Sequence, residues 1–439
     1  MLRKSIPRSR PITLQNTNTD TINNNNNNKN VDIDKKVVIE QLNIATVDSN
    51  EIEIDTNPID IDIATNNNTN TRDAKILSNS YWLTRIVYLR FLGFIYFIAF
   101  LISYQQNNSL IGINGLTPAI TFLNKIALKY SNNNINYTNS YNISFELFQY
   151  LPTIFWFILP TNQNIEYCSI FGLILSGIII ILGNSNSIIM SCLWLNYISI
   201  VNIGQNWYGF GWESLLLEIG FLSIFMVPIY NIHNNTNNNT NNTKSNTNNI
   251  TKWNFWNWNM NNCFNVNNPT PILTIFGCKW LIFRLMIGAG LIKIRGDICW
   301  SDLTCMQYHY QTQPVPNPIS LYLHILPTTF HTFEVIINHT VELILPILLL
   351  IPSTNLDLHT KYPIIRCCRL FGGLCQILFQ CILIISGNLS FLNWLSIVPC
   401  VMCFDDESIC WMFTPHMRSR ALNAQCEWEQ TRNELLGVV

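Results

Sequence analysis

Lys279 to Asp302 reads KWLIFRLMIGAGLIKIRGDICWSD. Most of this stretch is apolar or small and long enough to cross a bilayer, yet Arg284 lies inside it and Lys293 and Arg295 close its end. Cys299 comes within a few residues, and Cys305 lies just beyond. A membrane helix that carries an interior cation and runs into a paired-cysteine loop is built for more than anchoring.

The rest of the chain agrees with a membrane setting. Its 439 residues are 48% hydrophobic and only 12% charged, where a soluble domain averages about a quarter charged. The net charge of −1 and the lack of an arginine-rich groove argue against nucleic acid as a partner. Thirteen Trp, 16 Tyr and 24 Phe suit interfacial belts and packing against lipid. Several of the 14 cysteines, among them Cys168, Cys192, Cys278, Cys375 and Cys381, sit in apolar runs as small hydrophobes. Cys263, Cys299, Cys305, Cys367 and Cys368 fall in expected loops.

Residues 1–78 are rich in Asn, Asp, Ile and Thr and hold no apolar signal core. They read as a disordered cytosolic tail, and the first hydrophobic segment as an uncleaved signal-anchor. Further Asn tracts at 131–142 and 234–251 read as loop expansions, tolerated because closure entropy grows slowly with length. Residues 79–406 form the membrane domain, and 407–439 read as a short polar tail. About eight apolar segments occupy 82–104, 166–183, 188–203, 212–230, 272–294, 334–351, 369–386 and 388–404, so the expected fold is an all-α polytopic bundle. Residues 145–160 have the look of a half-inserted helix.

Loop charges set the orientation. A cytosolic N-terminus puts Arg72, Lys75, Lys361, Arg366, Arg369, Arg418, Arg420 and Arg432 inside, leaving Lys125, Lys129, Lys293 and Arg295 opposite. Eight crossings then return the C-terminus to the cytosol, and residues 105–165 and 295–333 lie on the other side. Sequons at Asn107, Asn136 and Asn142 become candidate glycosylation sites there, while those at Asn234, Asn238, Asn241 and Asn249 face the cytosol and stay bare.

The loop Gly296 to Pro318, GDICWSDLTCMQYHYQTQPVPNP, is the densest polar, aromatic and cysteine cluster. Cys299 and Cys305 are candidates for a disulfide on the oxidising side, and Pro314, Pro316 and Pro318 stiffen the end of the loop. Two readings stand: a preorganised platform carrying Asp297, Trp300, Asp302, Tyr308, His309 and Tyr310, or a connector stapled for stability. The sixth segment adds His331, Glu334, Asn338, His339 and Glu342, with Glu334, Asn338 and Glu342 stepping by four along one face. Ionisable groups at that depth face a bundle interior, so a buried charge network of Arg284, Glu334 and Glu342 is expected, with Arg85 a further candidate partner. Arg85 otherwise reads as snorkelling to head groups, and Glu213 as a charge near a helix N-terminus. No P-loop, GxSxG, HExxH or paired CxxC motifs occur, and no catalytic group, cofactor or metal site is expected. An intramembrane enzyme using Lys293, His339 and Glu342 is the alternative, with a transporter behind it.

Five blocks then resemble the lipase maturation factors: WLTRIVYLRFLGFIYFIAF (82–100), QN…LIGINGLTPA (106–119), GFGWESLLLEIGFL (209–222), the run from Trp280 to Pro318, and GNLSFLNWLSIVPCVMCFDD (387–406). They are colinear and span nearly all of residues 80–406. The resemblance implies a multi-pass endoplasmic reticulum membrane protein, chaperone-like and not itself an enzyme, that assists folding and assembly of secreted client lipases. By this match the 296–318 loop is the candidate client-facing surface. The resemblance also implies a further membrane segment and lumenal domain after the FDD block, which residues 407–439 do not match. The Asn-rich tail and loops have no counterpart in the family.

Overall fold

A chain in lipid must satisfy its backbone hydrogen bonds within each crossing segment, and the apolar runs accordingly become helices. The computed structural model describes residues 80–130, 141–228, 269–313, 317–352, 363–387 and 389–435, and among them helices and turns occur without a strand. The longer helices are α1 (Trp82–Leu110), α2 (Ala119–Tyr130), α3 (Tyr141–Tyr150), α4 (Asn162–Leu182), α5 (Ser187–Ile203), α6 (Gly211–Met226), α7 (Ile272–Gly296), α8 (Thr328–His339), α9 (Pro363–Ser386), α10 (Leu392–Cys400) and α11 (Pro415–Leu435). Helices α1, α4, α7, α9 and the run from α8 to Leu350 are long and apolar enough to cross a membrane. The apolar segments at α5, α6 and α10 are helical too, but shorter. All eight segments read from the sequence are therefore helices, five of them with the length of a full crossing.

Local signals set several boundaries. Thr161 caps α4 by accepting from the Asn164 N–H, and Gly183 ends it at φ 65°, the left-handed conformation that a glycine adopts without strain. Asn186 caps α5 three residues later, accepting from the Ile189 N–H at 2.8 Å. The run after α8 is irregular: a π-helical turn at Thr340–Ile344 passes into a 3-10 stretch at Leu345–Leu350. Pro346 supplies the reason, because it has no N–H to give an α-helix.

Hydrogen bonds sort the helix ends onto two faces. On the proximal face, where α1 begins, Asp406 accepts from the N–H groups of Trp82 (2.7 Å) and Thr84 (2.9 Å). There too, Asp405 holds Arg366 and Arg369 of α9, and Thr270, just before α7, donates to the Tyr81 carbonyl. The Lys279 ammonium of α7 reaches the Ile351 carbonyl after the α8 run, and the Ser187 N–H at the start of α5 donates to Pro228 after α6. On the distal face, Asn107 near the end of α1 accepts from the Tyr208 hydroxyl before α6, and Trp207 donates to Thr117. Successive apolar segments thus run in opposite directions.

The core forms around α1, where Tyr88, Leu92, Tyr96 and Phe100 pack with Tyr197 of α5, Leu216 of α6, Cys278 of α7 and Val398 of α10. A second cluster on the distal face joins Ile111, α2 (Ala119, Leu123, Ala127), Leu147 of α3 and the 3-10 turn Ile154–Trp156. The expected half-inserted helix at 145–160 is therefore two pieces, α3 and that turn, and Phe155 and Trp156 are buried in the cluster.

In the short polar tail, Asp406–Ile409 and α11 are helical, and Ala421 and Ala424 pack against Trp82, Leu83 and Ile86 while Gln425 accepts from the Trp82 indole N–H at 3.1 Å. One sequence expectation is corrected. Cys367 and Cys368 lie within the first turns of α9 rather than in a loop. The 1–78 tail, most of the 131–142 tract, the 234–251 tract, Cys263, Asn136, Pro314 and Pro316 lie outside the described residues.

Helices α1 and α4 approach closely through small residues, with Ser103 and Ser169 sharing a 2.7 Å hydrogen bond. At Gly172 a Cβ would stand 2.4 Å from the Phe100 ring. Gly172→Leu is expected to lower the unfolding midpoint and membrane abundance, costing about 1–3 kcal/mol through overpacking. Adding Phe100→Ala should recover part of that loss in a thermal-shift assay, and an undisturbed Gly172→Leu protein would show that the two helices are not in register.

Candidate functional site

Beyond α7 the chain turns twice on the distal face. Asp297 opens the short helix Ile298–Ser301, and Cys299 and Cys305 are joined by a disulfide with Cα atoms 4.7 Å apart. Leu303 takes φ 59°, rare for a residue with a Cβ, and this lets the N–H groups of Thr304 (2.9 Å) and Cys305 (3.2 Å) both donate to the Cys299 carbonyl. Met306–His309 forms another single turn. Hydrogen bonds from Gln313 to the Ser386 carbonyl (3.3 Å) and from Asn317 to the Ile384 carbonyl (3.5 Å) pin the loop to the end of α9.

Two polar clusters support the loop from below. In the first, the Lys293 ammonium donates to Glu342 at 2.6 Å and Asn338 at 2.9 Å, and the Asn338 amide donates to Glu342 at 3.1 Å. The same ammonium lies 4.9 Å from the centroid of the Trp300 ring, and the Trp300 carbonyl accepts from His339 at 3.1 Å. Glu342 sits in the π-helical turn, whose extra residue alters the side-chain register relative to α8. In the second cluster, Glu334 accepts from the Tyr310 hydroxyl at 2.7 Å and pairs with His331 Nδ1 at 2.9 Å. Burial pushes the Tyr310 phenol up from its ordinary pKa, and the adjoining Glu334 carboxylate adds to the shift, so this hydroxyl acts as a donor.

The expected platform residues divide by accessibility. Asp297, Asp302 and Tyr308 are exposed and face outward, Trp300 and His309 are half-buried, and Tyr310 is buried as a post beneath the loop. The expected three-member charge network does not assemble. Glu342 takes Lys293, Glu334 takes His331 and Tyr310, and Arg284 pairs with Glu218 of α6, with both of the latter side chains substantially exposed. Sequence spacing within one helix could not show that Arg284 faces α6, while Ile282 and Met286 of the same α7 pack with Val341 and Leu349 of the run after α8. Lys293 is paired with Glu342 at 2.6 Å. Arg85 does not snorkel: it is buried, 5.1 Å from the Trp82 ring centroid. Glu213 lies in the first turn of α6 as expected, but buried, accepting from the Tyr197 hydroxyl and, at 3.0 Å, from the Trp212 indole. Asn107 is unsuited to carry a glycan in the folded protein: it is buried within α1, its amide donating to Ser103 and its oxygen accepting from Tyr208, each at 2.7 Å. Asn142 lies in the first turn of α3, and its side chain lies outside the described residues.

The lipase maturation factor transmembrane domain family matches residues 83–411, a span that holds both the proximal and the distal face. The chain belongs to the lipase maturation factor family. It is 43% identical over 342 residues to lipase maturation factor 1 of Mus musculus, covering 77% of this chain and 51% of that protein. It is 39% identical over 366 residues to lipase maturation factor 1 of Homo sapiens (82% and 56%), and 29% identical over 333 residues to lipase maturation factor 2 of Xenopus tropicalis (74% and 40%). The chain thus spans about half the length of these lipase maturation factor 1 relatives. No solved structure matches.

Sequence reasoning passed over one constellation in this family member, the proximal acid pair. Asp405 takes a two-point contact from Arg366 (2.8 and 2.7 Å) and a further one from Arg369 (2.8 Å), which also bonds the Tyr81 hydroxyl. Asp406 accepts from Ser80, Trp82 and Thr84. The available signal was two adjacent acids directly after an apolar segment, where lipid-facing sequence would avoid them.

Lys293→Met would leave the Glu342 carboxylate, only 4% exposed in its side chain, without its cation. The expected loss is about 3–5 kcal/mol, largely recovered in the Lys293→Met/Glu342→Gln double variant, with unfolding midpoints as the readout. His309 supplies a pH test. Burial, and after it the Lys293 ammonium, holds its pKa below the ordinary 6.5, and Glu334 pulls the other way. The unfolded loop therefore takes up a proton before the folded loop does. The stability gained by keeping His309 neutral is whole above pH 6.5 and drains away as pH falls through that value. Protease cleavage of the loop should accelerate between about pH 7.5 and pH 5.5, and His309→Gln should flatten that dependence.

Proposed function

We propose that this protein is an endoplasmic reticulum membrane factor that assists the folding and assembly of secreted lipases. One observation carries the reading: the family match from 83 to 411 encompasses the disulfide-closed distal loop together with the helices that brace it. The chain crosses the bilayer eight times with its N-terminus in the cytosol, so the distal face is lumenal and the acid clamp cytosolic. The loop charges support this orientation, and the alternation of helix directions supports the repeated threading. The client meets the exposed rim of the loop at Asp297, Asp302 and Tyr308, and the chain acts by holding an unfolded or unassembled lipase rather than by catalysis.

The physical logic is preorganisation. A surface that binds transiently exposed client segments gains affinity when its own ordering cost is already met. Here a disulfide, a cation–aromatic contact, an ion-paired cluster and a hydrogen-bonded one fix the loop before any client arrives.

Deletion of the gene should abolish secreted lipase activity while lipase synthesis continues, and the wild-type chain should restore it. The Asp297→Ala/Asp302→Ala/Tyr308→Ala variant should reach normal membrane abundance yet restore less than about a tenth of that activity, as expected for loss of a rim that carries binding energy. Normal lipase secretion from the deletion strain would overturn the function. Full rescue by the triple variant would overturn the placement of the client surface.

A further inference from the structure

Arg284 lies twelve residues from either end of α7, whose bounds are Ile272 and Gly296. At 1.5 Å per residue this is about 18 Å from each end, at the centre of a hydrocarbon layer about 30 Å thick. An arginine side chain does not extend that far, so snorkelling cannot bring this guanidinium to the head groups. Its partner, Glu218, is on the neighbouring α6, and the side chains of Arg284 and Glu218 are 57% and 45% exposed. Other ionisable groups of the bundle helices, including Lys279, Glu213, Glu342 and Arg369, are buried within the protein. The Arg284–Glu218 pair is instead turned outward at membrane depth, flanked by exposed Phe221 and Trp280. Lipid offers neither charge a hydrogen bond, whereas another helix does, and polar groups at this depth hold helices together.

We infer that this α6–α7 face seats a second copy of the chain, Arg284 of each copy sharing charge with Glu218 of the other. The composition of the face selects that occupant. It carries one cation and one anion on adjacent antiparallel helices, so it has no net charge to attract a partner of single sign. A two-fold axis along the membrane normal places α6 of one copy against α7 of the other, setting Glu218 opposite Arg284 twice over. Such an interface is self-complementary and closed. The four groups form an alternating ring, and each charge exchanges lipid for a second partner. One turn towards the distal face, Ser214 is exposed on α6, and a Cβ added at Gly288 of α7 would meet no atom within 4 Å. These positions share the depth of the interface without contributing to the ion pairs.

The test uses full-length chains carrying two different affinity tags, co-expressed and extracted in mild detergent. Wild-type copies should co-purify. Arg284→Glu copies, which oppose four carboxylates, should lose self-association roughly tenfold or more, as should Glu218→Arg copies, which oppose four guanidiniums. Co-expression of Arg284→Glu with Glu218→Arg restores both inter-copy pairs and should return co-purification to near the wild-type level. Should either charge variant be depleted from the membrane, a second measurement decides: one copy carries Ser214→Cys, the other Gly288→Cys, and both ion pairs stay intact. Mild oxidation of native membranes should then join the two tags through these two positions and not through either alone. The inference is overturned if those cysteines do not cross-link, if wild-type chains bleach in single steps in lipid nanodiscs, or if a different membrane protein co-purifies with an otherwise monomeric chain. None of these readouts depends on lipase maturation, so the client role and the self-association stand or fall separately.

Discussion

Asp405 and Asp406 end the last apolar segment, and both are fully buried. Unpaired carboxylates in that position would unfold the proximal face, so the clamp must be complete for the bundle to close. Asp405 draws Arg366 and Arg369 down from the start of α9, and Asp406 takes the backbone N–H groups that open α1. Those N–H groups belong to the first turn of α1, which has no intrahelical acceptor for them, and Tyr81 supplies no side-chain cap. The carboxylate therefore caps α1 from more than three hundred residues away. The first, seventh and eighth segments are joined at one point, and Trp82 beside it receives α11.

The distal face solves a different problem with similar chemistry. Its loop lies beyond the helices and has little apolar surface of its own to bury, so order has to come from fixed polar contacts. The disulfide shortens the free loop, Gln313 and Asn317 fasten it to α9, and the Lys293–Glu342–Asn338 cluster holds Trp300 from beneath. The departure from α-helix after His339 belongs to this arrangement: the π-helical turn places Glu342 against Lys293, and Pro346 immediately afterwards prevents the regular helix from resuming.

Between the faces, helix contact is made by shape. Lipid is as apolar as leucine, so apolarity alone does not draw two crossing helices together. Gly172 admits the Phe100 ring, and Ser103, Ser169 and Ser176 bond one another or nearby backbone carbonyls without widening the gap. Tyr96, Phe100 and Tyr197 meet edge-on or offset across α1 and α5, with centroids 5.4 to 6.1 Å apart.

The eight apolar segments, their helical state and the family were legible in the sequence because hydrophobic runs of this length have few other solutions in a bilayer, and because colinear blocks of unusual residues do not recur by chance. The loop was visible as a dense cluster for the same reason. Partner choice was not. Glu334, Asn338 and Glu342 step evenly along the sequence, but Lys293 gathers Asn338 and Glu342 into one cluster while Glu334 takes His331 and Tyr310, and Arg284 found Glu218. Asn107 carries a sequon, yet helix α1 continues past it and buries the amide. The polar composition of 415–435 gave little sign of a docked helix, since three small or amphipathic residues, Ala421, Ala424 and Gln425, make the contact with Trp82, Leu83 and Ile86. Composition and periodicity report how each segment meets its solvent; which charge meets which is a property of distances across the bundle, and those exist only once the helices have packed.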